Sequence, residues 1–217
     1  MAVQSIDHLV WFRNDLRVHD NQALVAACKN AAMDGGSVAG VFIVAKGQWQ
    51  QHHLSPGRMQ LTHEALSCLS ISLKALHVPL IVLVVDTFKQ VPDKLQGLAN
   101  QLAAQHIYFN HEYGVDEAHR DEAVRQLLPS QNMHGYHGSV LLKPGTVRTL
   151  QGQIYKVFTP FRNRVLDTLD YQDMLPLPKP KALAPQSFSA AIEKVLEQNS
   201  LELFQVTPFD ISNWASD

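Results

Sequence analysis

Four short apolar runs, spaced so that each gap can hold a helix, constrain this chain more than any other feature. Leu9 to Phe12, Val38 to Val44, Leu80 to Val85 and Ile107 to Asn110 are rich in β-branched and aromatic side chains. They lack the polar alternation of a strand with one wet face, so they read as strands buried on both faces of a parallel sheet. A fifth run, Val140 to Leu142, extends the alternation. Strands separated by helical segments imply βαβ units. The expected fold is α/β, a five-stranded parallel Rossmann-like doubly wound sheet, followed by an extended Pro-rich linker.

The clearest helix lies between the second and third runs. Ser55 can cap it, Pro56 suits its first position, and Leu66, Leu69, Leu73 and Leu76 recur at helical spacing as core. A second helix is expected over Asp116 to Leu128, opening on a carboxylate pair. A third is expected in "FTPFRNRVLDTL", with Thr159 as cap and Pro160 next. From Tyr171 the character changes. "MLPLPKPKALAPQSF" carries four of the 11 prolines, so it should run extended over a surface, with an amphipathic helix over Ala190 to Leu203 behind it. The chain then stops after a linker that leads nowhere within it, the pattern of a multidomain protein cut between domains.

Where the first strand ends, "RNDLRVHDN" gathers Arg13, Asp15, Arg17, Asp20 and Asn21. Ligands of open α/β sheets bind at the carboxyl ends of strands, so this cluster is a candidate site lining. Mutual pairing that holds a buried turn is the equally weighted alternative. Two further loops fall on the same side of a parallel sheet, "KGQWQQHHLSPGR" after strand two and "HEYGVDE" after strand four. Trp49 offers an aromatic surface there, His52 a switchable donor, and Asp116 with Glu117 offers carboxylates. Acids in a first helical turn are also favoured by the helix dipole alone.

Composition excludes several classes. With 46% hydrophobic and 18% charged residues among 217, the chain should fold. A formal charge of −2 provides no global attraction to a phosphate backbone, so a nucleic-acid surface must be local or lie elsewhere. Cys28 and Cys68 fall in helical patterns without metal or disulfide spacing, which fits a reducing cytosol. There is no secretory leader and no run long enough to span a membrane. No Gly-rich phosphate loop, C-x-x-C, H-E-x-x-H or G-x-S-x-G is present. The 11 histidines include the pairs His52/His53 and His134/His137, but neither has a thiolate or carboxylate at metal-ligand spacing.

"HLVWFRNDLRVHDNQAL", then "QWQQHHLSPGR", then "YKVFTPFRNR" resemble, in order and separation, the amino-terminal domain of the DNA photolyase and cryptochrome family, most closely the class I cyclobutane pyrimidine dimer photolyases. The resemblance covers residues 7 to 170. It implies an α/β antenna domain over residues 1–170, a linker over 171–217, and a larger helical domain, absent from this chain, that binds FAD and damaged DNA. It makes the cluster from Arg13 to Asn21 mainly structural. It assigns His52, Asp116 and Glu117 to a methenyltetrahydrofolate antenna, with no catalytic and no metal-binding residue in this chain. Asp116 stands where well-known relatives have Asn, and Gly114 where they have an acidic residue. The full-length protein implied is a cytoplasmic, monomeric deoxyribodipyrimidine photo-lyase that splits dimers with blue light by electron transfer from reduced FAD. The isolated chain is expected to be inactive, without FAD and with weak or no folate. The rival readings are a cryptochrome-type photoreceptor and a small-molecule-binding α/β module without photochemistry.

Overall fold

The computed structural model describes residues 3–170 and 174–207. Five strands form one all-parallel sheet in the order β3-β2-β1-β4-β5: β1 (His8–Phe12), β2 (Val38–Ala45), β3 (Leu80–Val85), β4 (His106–Asn110) and β5 (Asn132–Tyr136). Successive residues point to opposite faces, which splits the core in two. Leu9 and Trp11 of β1 face one side, packed with α4 (Val91–Leu102) and α5 (Val115–Leu127). Val10 and Phe12 face the other, packed with α1 (Gln22–Asp34) and α3 (Pro56–Lys74).

Local chemistry sets the helix ends. Asn21 Oδ1 accepts from the Leu24 N–H at the start of α1, and Gly35 closes that helix with φ 76°, a conformation open to glycine at little cost. Ser55 Oγ accepts from the Arg58 N–H and Pro56 opens α3, as expected. Leu66, Leu69, Leu73 and Leu76 are all buried.

The fifth strand is not Val140 to Leu142. It is β5, "NMHGY", an edge strand that pairs only with β4 and keeps partial solvent exposure along its length, so it needs no apolar run. Val140 and Leu141 follow in turns and are exposed. The helix expected at Thr159 is α6 (Phe158–Thr168), whose N-cap is Val157 without a side-chain cap. Pro160 sits in its first turn, where a missing N–H costs no intrahelical bond. "KGQWQQ", expected as loop, is a short helix, α2 (Lys46–Gln51).

The Pro-rich stretch does run extended over the surface. Leu177 exchanges hydrogen bonds with Asp20, the Leu183 N–H donates to the Leu76 carbonyl, and Val3 pairs with Ser187 and Ser189. Behind it, α7 (Ala190–Gln198) buries Ile192, and Phe204 reaches the core on the other face. The Val82 N–H donates to the Asn199 carbonyl at 2.8 Å, so the tail covers the exposed edge of β3. The helix expected as far as Leu203 ends at Gln198, with a single 3-10 turn at Leu201–Leu203. Tyr171, where the linker was expected to begin, and the last ten residues lie outside the described ones.

Candidate functional site

In the order β3-β2-β1-β4-β5 the chain winds outward in both directions from β1, so a crevice opens at the carboxyl ends of β1 and β4. A cleft of about 450 Å³ occupies that place. Its floor includes Trp11, Phe42, Ile43, Phe88 and Val91. One lip is α2 and the start of α3, with Gln48, Trp49, His52 and Arg58. The other is the first turns of α5, with Val115, Asp116, Glu117 and Arg120. The loops after strands one, two and four therefore do meet at one cavity, and His52, Asp116 and Glu117 all line it.

The charged cluster after β1 resolves as structure. Arg13 is buried: its Nη1 donates to both Asp121 carboxylate oxygens at 3.1 Å and its Nη2 to the Asn110 carbonyl. Burial lowers the Arg13 pKa from its ordinary value, and the Asp121 carboxylate opposes the shift. Asp15 accepts from the Arg13 N–H and from the Asn21 and Asn110 side-chain amides. Arg17 lies near Asp20 at the surface and donates to the Asp20 and Gly138 carbonyls. The bidentate pair and amide network fix the corner on which the cleft rests.

Reading the sequence missed the second half of this foundation. Arg120 Nη2 donates to Glu112 Oε2 at 2.9 Å and to Asp121 Oδ1 at 2.7 Å. The guanidinium carbons of Arg13 and Arg120 lie 4.6 and 4.9 Å from the centroid of the Trp11 ring. Both are within cation–π range, so the indole under the cleft is held by charge as well as by packing. The available signal was that Arg120 and Asp121 share the buried stripe of α5 with Val124, followed by Leu128, in an otherwise exposed helix.

The three expected ligand-contacting residues differ in state. His52 Nε2 lies 3.2 Å from Asp116 Oδ2 and 2.9 Å from Gln48 Nε2, at the exposed rim. Glu117 is half-buried, and its carboxylate has no hydrogen-bond or ion-pair partner among the described residues. It folds back over Gly114, where a Cβ would overlap Glu117 Oε2. A glycine at 114 thus leaves room for this carboxylate between the cleft and a neighbouring cavity of about 320 Å³.

Flat aromatic flooring, one unpartnered carboxylate and a rim imidazole suit a planar heteroaromatic ligand with adjacent N–H donors. The turn after β1 has no glycine-rich phosphate cradle, so a dinucleotide's pyrophosphate would find no usual seat there.

The DNA photolyase family model matches residues 8–182. The chain belongs to the DNA photolyase family. It is 34% identical over 205 residues to a deoxyribodipyrimidine photo-lyase of Salmonella typhimurium, covering 94% of this chain and 42% of that protein. It is 38% identical over 162 residues to the one of Escherichia coli, covering 75% of this chain and 34% of that protein. Among solved structures, a class III photolyase of Agrobacterium tumefaciens superposes with TM-score 0.70 at 27% identity, over 100% of this chain and 41% of that one. A Synechocystis cryptochrome superposes with TM-score 0.69 at 22% identity, over 97% of this chain and 42% of that one, a likeness of fold alone. This photolyase-family chain thus spans about two-fifths of the length of such relatives. Among its described residues no helix is long and apolar enough to cross a membrane.

Proposed function

We propose that residues 1–170 are the light-harvesting antenna domain, and 171–217 the linker, of a deoxyribodipyrimidine photo-lyase whose helical domain binds FAD and damaged DNA. The observation that carries this reading is the unpartnered, half-buried Glu117 carboxylate beside the cleft at the sheet's switch point. A pterin presents a ring N–H next to an amino group, and one carboxylate accepts both hydrogen bonds in a fixed orientation. His52 lies on the opposite lip as a second polar contact, with Asp116 beside it. When bound, methenyltetrahydrofolate supplies absorption of near-ultraviolet and blue light, passed on as excitation to reduced FAD in the helical domain. The role of this chain is to orient the ligand and limit its contact with water; it supplies no catalytic residue. A cytoplasmic setting belongs to the same reading, and Cys28 and Cys68 are free thiols.

An apolar face supports the domain division. Leu141, Leu150, Ile154, Val157 and Phe158 are exposed, Leu150 by 97%, and α6 buries none of its residues. Contiguous apolar surface of this kind marks an interface, and a helical domain following the linker would cover it. A cryptochrome shares the fold, and a binding module without photochemistry needs only the cleft.

The absorption spectrum of the full-length protein, before and after chromophore extraction, tests the proposal together with dimer cleavage under blue light. A folate band beside the flavin spectrum, with cleavage, is expected. Flavin without repair would favour the photoreceptor, and the absence of any chromophore would favour the plain binding module. Stoichiometric FAD retention by the 217-residue chain alone would overturn the domain assignment.

A further inference from the structure

Resting on the folate reading of the cleft, we infer that the His52–Asp116 ion pair is a strap across the cleft mouth that competes with the ligand. His52 is the C-terminal cap of α2, and Asp116 lies in the first turn of α5. These are the two lips of the cavity, and His52 Nε2 to Asp116 Oδ2 at 3.2 Å spans them. Among the described residues no other ion pair or hydrogen bond joins α2 or its cap to α5. Both side chains are at the rim, 60% and 50% exposed, so the contact lies over the entrance rather than in the floor.

The chemistry of one ring nitrogen makes this a competition. Nε2 offers either one N–H or one lone pair, never both. In the structure it has two claimants, the Asp116 carboxylate at 3.2 Å and the Gln48 amide at 2.9 Å. A ligand that hydrogen-bonds His52 at Nε2 must displace Asp116, and entering the cleft at that point separates the lips. Glu117, with no such partner, is free to accept from the ligand at once. Asp116 therefore tunes affinity through His52 and is not itself the ligand's acceptor.

Asp116→Asn removes the charge that holds His52 while keeping the size of the side chain. An exposed ion pair is worth up to about 1 kcal/mol, so the variant should bind methenyltetrahydrofolate about two- to fivefold tighter in equilibrium dialysis with the 217-residue chain. The gain should shrink between about 0.01 M and about 1 M salt, as the Debye length falls from about 30 to about 3 Å and the wild-type strap is screened. It should vanish when His52→Ala is present in both proteins. Equal or weaker binding by Asp116→Asn overturns the strap, as does a gain that persists without His52. If Glu117→Gln weakens binding while Asp116→Asn changes nothing, the strap fails and the folate reading stands. Absence of binding to every protein overturns both.

Discussion

Arg13 and Asp121, 108 positions apart in the sequence, form a two-pronged ion pair with both contacts at 3.1 Å, and both side chains are more than nine-tenths buried. The pair ties the end of β1 to the inner side of α5, and Asp121 also holds Arg120. Removing one partner of a buried pair leaves an uncompensated charge, which costs more than the pair is worth. Asp121→Asn is expected to lower unfolding free energy by about 3–5 kcal/mol, read as a drop in the urea midpoint. A loss under about 1 kcal/mol would mean that the corner is not held by this carboxylate.

At the other end of the sheet, His8 stacks on His106 at 5.1 Å, and His106 Nδ1 lies 3.1 Å from His134 Nε2. Burial lowers the His8 pKa below 6.5, with Asp34 opposing it, and burial with His106 lowers that of His134. Each imidazole thus binds its proton less readily folded than unfolded. Their contribution to stability is fully present above the ordinary histidine value and is lost as pH falls below it through the folded pKa. The urea midpoint should decline from pH 7 to pH 5, with a slope reduced by up to one proton in His134→Asn. A flat profile over that range would contradict the buried neutral cluster.

The strands β1 to β4 were legible because burial on both faces demands apolar runs, and the caps at Asn21 and Ser55 because short polar side chains satisfy helix N–H groups in few ways. β5 was not, because an edge strand with wet faces may be polar, while the apolar Val140 to Leu142 belongs to an exposed segment. The three lips of the cleft followed from parallel topology alone. The state of the side chains did not: that Glu117 is unpaired, that Asp116 holds His52, and that Arg120 stacks near Trp11 depend on packing between elements distant in sequence.

Because α6 buries none of its residues, its apolar side chains contribute little to the stability of this chain by itself. Phe158→Ser and Leu150→Ser should move unfolding free energy by no more than about 0.5 kcal/mol, while lowering the binding of a hydrophobic fluorescent dye. Clear destabilisation would show that this face already packs on the α/β domain.

The central claim is that Glu117 receives the donor edge of a folate in the cleft. Equilibrium dialysis of methenyltetrahydrofolate against the wild-type chain and Glu117→Gln tests it most directly. A neutral amide accepts more weakly and introduces a misplaced donor, so a loss of about 1–3 kcal/mol is expected. That corresponds to weakening by roughly five- to 150-fold, with the unfolding midpoint unchanged. Equal affinity of the two proteins for the folate would contradict the account.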